Sequence, residues 1–166
     1  MKPQPDNAAA FRQLVSSPVK FRLFLLSRLP MAYLAGLRVT TLTPEHAAVS
    51  IPYKYVNKNP FQSIYFACLS MAAELSTGVL CMMHVYQSSP AVSMLVVSME
   101  ASFTKKAVGR ITFTCHNGQQ IQQAVEQTKA TGEGVTVVAT SRGVDEAGDQ
   151  VAEFRFTWSL KAKPKA

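Results

Sequence analysis

The longest apolar stretch of the chain lies in its middle, between residues 56 and 86. From residue 63 onward Ala, Leu and Met are frequent and proline is absent, which predicts a long helix. Because this helix is apolar on almost every side, we expect it to be buried on almost every side. Its polar positions are spaced to form one stripe, which consists of Ser63, Ser70, Glu74, Thr77 and His84. The carboxylate of Glu74 must therefore be paired, protonated or turned towards a polar cleft.

Shorter alternating and amphipathic segments lie on both sides of this helix. Before it, the pattern predicts helices at 8–16 and 18–29 and strands at 37–42 and 47–53. After it, the pattern predicts strands at 92–104 and 110–115, a polar helix at 119–131, and strands at 135–142 and 151–160. No β-α-β alternation runs through the chain, so the sheet should be largely antiparallel. Six such strands can bury so central a helix only by curling around it.

The sequence thus predicts one α+β domain over residues 1–166. A helical segment (1–35) precedes the core (36–160), and a basic tail (161–166) follows it. The predicted helix at 18–29 is both basic and apolar. It is either an ordinary helix packed on the domain or an amphipathic helix that touches lipid or covers a tunnel for an acyl chain.

The net charge of +7 favours acidic partners, which are nucleic acids, anionic membrane surfaces or phosphate-bearing small molecules. Basic and aromatic residues are not interleaved as nucleic-acid binding would require, so we expect no nucleic acid partner.

The central helix is long enough to cross a bilayer. Glu74 at its centre makes insertion costly, and we expect no membrane span.

Cys68, Cys81 and Cys115 are an odd number of cysteines in apolar surroundings, without C-x-x-C spacing. This pattern predicts reduced thiols rather than a disulfide framework. The three histidines also lack metal-like spacing, so we expect no metal site. The N-terminal residues show no apolar run with a cleavage site, and the expected location is the cytoplasm.

A short motif precedes the central helix, Asn59-Pro60-Phe61-Gln62-Ser63-Ile64-Tyr65-Phe66-Ala67. It resembles the pattern N-x-x-G-T-x-H-G-G of the phenylacetate-type acyl-CoA thioesterases of the hotdog-fold superfamily, which carry an acidic residue nine positions after the histidine. Asn59, Ser63 and Glu74 match this pattern. Tyr65 replaces the histidine, Phe66 and Ala67 replace the two glycines, and Gln62 replaces a further glycine. The segment is also similar to a branch of the superfamily with no settled function.

The resemblance implies a hotdog fold, a curled antiparallel sheet wrapped around one long helix, and hydrolysis of an acyl-CoA. Glu74 would act as general base or nucleophile, and Asn59 would fix the loop or the attacking water. Backbone amides at the helix start would hold the oxyanion, from Tyr65, Phe66 and Ala67. The supporting residues would be Ser63, Ser70 and Thr77. No cofactor is expected, because coenzyme A is part of the substrate.

Helix geometry places a constraint on this site. Ala67 and Glu74 are seven residues apart, which is ~10 Å along a helix axis. One thioester cannot easily reach both in the same chain, so we expect the site to lie between two protomers of a dimer or a dimer of dimers. The coenzyme A phosphates would meet the basic cluster beside Gly109, which consists of Lys105, Lys106 and Arg110.

Structural alternatives stay open for these residues. Glu74 can be a carboxylate hydrogen-bonded to Ser70, Thr77 or a partner chain, and Asn59 can be a turn residue. The basic cluster can be a solvated turn. The alternative function is a hotdog module that binds acyl-CoA or a lipid without turnover, because the histidine and both glycines of the motif are replaced.

Overall fold

The computed structural model describes residues 7–164. Within them it contains five α-helices, six strands and a short 3₁₀ helix at Tyr55–Asn57. The helices are α1 (Asn7–Ser16), α2 (Pro18–Arg28), α3 (Pro30–Ala35), α4 (Phe66–Val85) and α5 (Gly118–Thr131). The strands are β1 (Arg38–Leu42), β2 (Ala47–Ile51), β3 (Val92–Phe103), β4 (Ile111–Cys115), β5 (Val135–Val144) and β6 (Gln150–Ala162).

The strands form one sheet in the order β1-β2-β4-β5-β6-β3, and every neighbouring pair is antiparallel. The longest pairings join β6 to β5 on one side and to β3 on the other. The sheet does not close, so β1 and β3 are its edges. The predicted α+β architecture with a six-stranded antiparallel sheet is confirmed.

The central helix α4 contacts all six strands, which means that the sheet curls around it. Two of its polar residues, Ser76 and Thr77, are hydrogen-bonded to the sheet. The hydroxyls of Ser76 and Ser141 share a hydrogen bond of 2.7 Å, and Trp158 Nε1 donates to Thr77 Oγ1 at 3.0 Å. A buried polar group is costly unless it is hydrogen-bonded, so these two bonds favour one rotational setting of α4 against β5 and β6.

The helix begins at Phe66, three residues later than the expected start at residue 63. The backbone N–H of Ile64 donates to the carbonyl of Ala107, and Ile64 forms an isolated bridge with Lys58. These contacts hold the chain extended until the helix starts. Ser63 therefore lies in the loop before α4, and its assignment to the helical polar stripe is wrong.

The N-terminal segment contains a third helix that the pattern did not predict. α3 has Pro30 in its first turn and ends at Gly36, whose φ of 79° lies in the left-handed region. A proline at the start and a glycine just after the end are the usual signals of a helix. Only five residues lie between Pro30 and Gly36, which is too short a segment for a helical pattern to stand out in the sequence.

By length and composition, α4 is the one helix among residues 7–164 that is long and apolar enough to cross a membrane. Inside the fold, 61% of its most apolar window is buried. The core helix of a soluble protein passes the same test of length and composition, so the apolar length of α4 is weak evidence for a span.

Candidate active site

The loop before α4 is organised by Asn59. Its Oδ1 accepts hydrogen bonds from the backbone N–H groups of Phe61 and Ser63 at 3.0 and 3.3 Å. Its Nδ2 donates to the hydroxyl of Ser63 at 3.0 Å. Asparagine side chains commonly close turns in this way. Of the two tasks predicted for Asn59, fixing the loop is the one that these contacts serve.

Two backbone amides at the start of α4 are available for a ligand. No acceptor within residues 7–164 bonds the N–H groups of Phe66 and Ala67, as expected for the first turn of a helix. The N–H of Tyr65, in contrast, donates to the carbonyl of Asn57 at 2.8 Å. The expectation that Tyr65 contributes an amide to an oxyanion hole is therefore wrong, and the candidate donors are Phe66 and Ala67.

Phe66 lines a cavity of about 570 Å³, which we call the loop pocket, and Ala67 is the next residue of α4. It is lined by residues of the loop, the start of α4 and the segment after β3, namely Lys58, Asn59, Pro60, Phe61, Ser63, Ile64, Tyr65, Phe66, Leu69, Phe103, Lys105, Lys106 and Ala107. Aromatic rings form much of its wall. The ring centroids of Tyr65 and Phe66 are 5.0 Å apart, and those of Phe66 and Phe103 are 6.4 Å apart.

The predicted phosphate-binding residues are only partly brought to this pocket. Lys105 and Lys106 line it, but Arg110 does not. Lys105 is bound to Asp145 and Asp149 at 2.6 Å each, and hydrogen bonding to Asp145 is the main reason that its pKa is raised. The two aspartates offset the charge of Lys105, so Lys106 offers the less compensated charge.

Glu74 lies on a second cavity, which we call the carboxylate pocket. This pocket has a volume of about 220 Å³ and lies between α4 and the junction of α2 and α3. Its lining consists of Arg28, Leu29, Pro30, Met31, Ala32, Met71, Glu74 and Leu75. The sequence did not predict that α2 and α3 cover this part of α4, because that contact depends on the tertiary fold.

The carboxylate of Glu74 has no hydrogen-bond or salt-bridge partner within the described part of the chain. Ser70 donates to Met99 Sδ at 3.4 Å, and Thr77 donates to the backbone carbonyl of Glu74 at 2.9 Å. Neither hydroxyl therefore donates to the carboxylate, and of the two tasks expected of Ser70 and Thr77, orienting Glu74 or orienting the water, the second stays a prediction. Burial raises the pKa of Glu74 above its ordinary value of 4.5.

Because Gly78 has no side chain, it leaves room for the carboxylate of Glu74. A β-carbon at residue 78 would lie 3.2 Å from Oε1 of Glu74 and 3.6 Å from the ring of Trp158. A β-carbon would press on Glu74, because 3.2 Å is closer than ordinary van der Waals distance, whereas 3.6 Å to Trp158 is an ordinary contact. The signal in the sequence is the glycine itself, which lies one helical turn after Glu74.

A pH dependence follows from the raised pKa of Glu74. Burial disfavours the ionised carboxylate, so the protonated form of Glu74 favours the folded protein, and this contribution is fully present below pH 4.5. The contribution is lost as the pH rises through the raised pKa of Glu74 in the folded protein. We expect Glu74→Gln to raise the melting temperature at pH 8 and to have little effect at pH 4. Thermal unfolding of both proteins across this range measures the difference, and an equal effect at both pH values would contradict it.

The fold defines the structural class of this protein. An antiparallel sheet curled around one central helix is the hotdog fold, as the helix motif predicted. A family model described as Domain of unknown function (DUF4442) matches residues 19–160. The match covers most of the chain, so the chain belongs to this family. No curated protein matches the chain.

Several solved structures share this fold. A protein of unknown function from Pseudomonas aeruginosa, named a "probable thioesterase", is 24% identical with a TM-score of 0.74, over 88% of this chain and 97% of its own. A thioesterase family protein from Silicibacter pomeroyi is 16% identical with a TM-score of 0.62, over 87% and 98%. A thioesterase from Haemophilus influenzae is 11% identical with a TM-score of 0.61, over 84% and 88%. These similarities confirm the hotdog fold.

Proposed function

We propose that this protein is an acyl-CoA thioesterase whose site is shared between two protomers. The observation that carries the proposal is the pair of features on one helix. Within residues 7–164, a carboxylate without a hydrogen-bond partner and with a raised pKa lies in one pocket. Two amides without an acceptor lie at the start of the same helix, where Phe66 lines the other pocket. A base and an oxyanion site are the groups that thioester hydrolysis requires. The thioesterase names of the structural relatives favour the same chemistry.

In this mechanism Glu74 acts as general base. It takes a proton from a water molecule as the water oxygen attacks the thioester carbonyl carbon. The negative charge that develops on the carbonyl oxygen is stabilised by the amides of Phe66 and Ala67 in the partner protomer. The carbon–sulfur bond then breaks, and the proton held by Glu74 passes to the leaving thiolate. A direct attack by the carboxylate is the alternative, with an anhydride that water then hydrolyses.

The edge strand β3 is the surface that we propose for the dimer. It is 12 residues long and contains no proline, and its outer edge is unpaired within residues 7–164. Leu95 and Val97 are 66% and 53% exposed on it. An exposed, long and apolar edge strand readily pairs with another chain. Two copies of β3 pairing about a two-fold axis would extend the sheet and bring the two α4 helices together.

The coenzyme A phosphates are proposed to bind at the loop pocket. Lys106 supplies the positive charge there, and Lys105 adds to it as far as its two aspartates allow. The aromatic wall of Tyr65, Phe66 and Phe103 would contact the apolar part of the substrate. The expected cellular location remains the cytoplasm.

The second candidate is a module that binds acyl-CoA without hydrolysing it. The observation that favours it is the position of Tyr65 and Phe66, whose rings line the loop pocket where the resembled motif has a histidine and a glycine. Side chains in that place reduce the room for a thioester next to the amides.

Incubating the purified protein with acyl-CoAs of different chain lengths and a thiol reagent tests the proposal. We expect release of free coenzyme A from at least one of them, well above the rate without protein. Binding of acyl-CoA by calorimetry without any release of thiol would overturn the thioesterase proposal and support the binding module. Absence of both would overturn both candidates.

A further inference from the structure

The helix α2 carries apolar side chains on two opposite faces. One face packs inward through the buried Phe21 and Leu25. The other carries Val19, Leu23 and Leu26, which are 71%, 61% and 49% exposed. Their spacing of four and three residues aligns them in one outward stripe. Isolated exposed apolar residues are common, but a contiguous stripe of this kind marks an interaction surface.

The charge around this stripe is of one sign. Residues 7–44 contain five Arg and Lys residues and no Asp or Glu. Lys20, Arg22 and Arg28 are exposed on α2, and none of them forms a salt bridge within the described part of the chain. Arg22 lies over the ring of Tyr33 at 4.8 Å, which leaves its charge uncompensated. The stripe is therefore apolar at its centre and cationic at its margins.

We infer that this surface docks on an anionic lipid membrane. Leucine and valine side chains that enter the acyl boundary, with lysine and arginine beside them at the headgroups, are the arrangement of an interfacial helix. Each cation near an anionic leaflet adds to the attraction. A second copy of this chain fits the surface less well, because a two-fold contact would place the cations of both copies against each other.

The apolar stripe of α2 is followed in the chain by residues that line the carboxylate pocket. Leu29 and Met31 follow α2, are exposed, and also line the carboxylate pocket. Docking through α2 would thus place that pocket next to the lipid. Membrane docking does not require hydrolysis, so it is measured without any thioester.

Co-sedimentation with vesicles tests the inference. We expect the full chain to bind vesicles of phosphatidylcholine with phosphatidylglycerol at low salt, and to bind much less to vesicles of phosphatidylcholine alone. Replacing Lys20 and Arg22 by glutamine should weaken binding by about fivefold for each cation, or about 25-fold together. Leu23→Gln with Leu26→Gln should abolish most of it.

A matched control separates this surface from exposed apolar residues in general. Val56 and Val108 are 64% and 50% exposed and lie outside the helical segment, so Val56→Gln with Val108→Gln should leave vesicle binding unchanged. Circular dichroism would check that all variants are folded. Absence of binding to anionic vesicles, or equal loss in the control pair, would overturn the inference. A lower oligomeric mass of the Leu23 and Leu26 variant, without vesicle binding by the wild type, would also overturn it and indicate a contact between subunits.

Discussion

Replacing Glu74 with glutamine is expected to lower kcat for the best acyl-CoA by about two orders of magnitude or more, because loss of a positioned base typically costs 10²–10⁴-fold. Glutamine has nearly the same shape but cannot take a proton from water. The fold should survive, since the carboxylate makes no hydrogen bond within the described chain and its ionised form is disfavoured by burial. Steady-state kinetics with thermal unfolding of the same samples measures both effects.

Glu133→Gln is the matched control for this substitution. Glu133 is exposed beyond the end of α5, outside the linings of both pockets, so the same chemical change should leave kcat unaltered. If Glu74→Gln changed the melting temperature but kept turnover near that of the wild type, Glu74 would have a structural role. The proposed mechanism would then be wrong.

Placing lysines at the outer edge of β3 is expected to separate the protomers and to reduce turnover as strongly as the loss of Glu74. Leu95→Lys with Val97→Lys puts two charges where a second strand would pair, and charged edge residues prevent such pairing. A site that takes its base from one chain and its amides from another cannot work in a monomer. Light scattering should show half the mass of the wild type, and kcat should fall by about 10²-fold or more.

Val138→Lys controls for the added charge. Val138 is exposed on β5, where it pairs with Thr157 of β6 inside the sheet and lies away from the outer edge of β3. It should therefore keep the dimer and its activity. A wild type that is already a monomer at micromolar concentration would contradict the dimer. An active monomeric variant would contradict the shared site.

The architecture was predictable because local signals agreed with the tertiary fold. Turn residues mark the ends of the strands, and the apolar length of α4 requires a sheet that surrounds it. The start of α4 was not predictable to the residue, since the extended conformation of Ile64 depends on a hydrogen bond to Ala107, far along the chain. Propensity favoured a helix there, and the tertiary contact overrode it.

The elements that carry the candidate site were predictable, but the contacts of their side chains were not. Glu74 stood out as the one carboxylate in an apolar helix, and the motif at Asn59 indicated the loop. The pairing of Lys105 with Asp145 and Asp149 brings together residues about 40 positions apart. Such contacts depend on strand register, which no local pattern determines.

The central claim is that one site needs two chains, and a mixed dimer tests it most directly. One chain carries Glu74→Gln, and the other carries Asn59→Ala, which removes the hydrogen bonds that shape the amide loop. Each homodimer should have low turnover. A heterodimer purified by two different affinity tags contains one intact site, formed by Glu74 of one chain and the loop of the other, and should regain about half of the wild-type activity. A folded heterodimer that is no more active than its parents would contradict the claim.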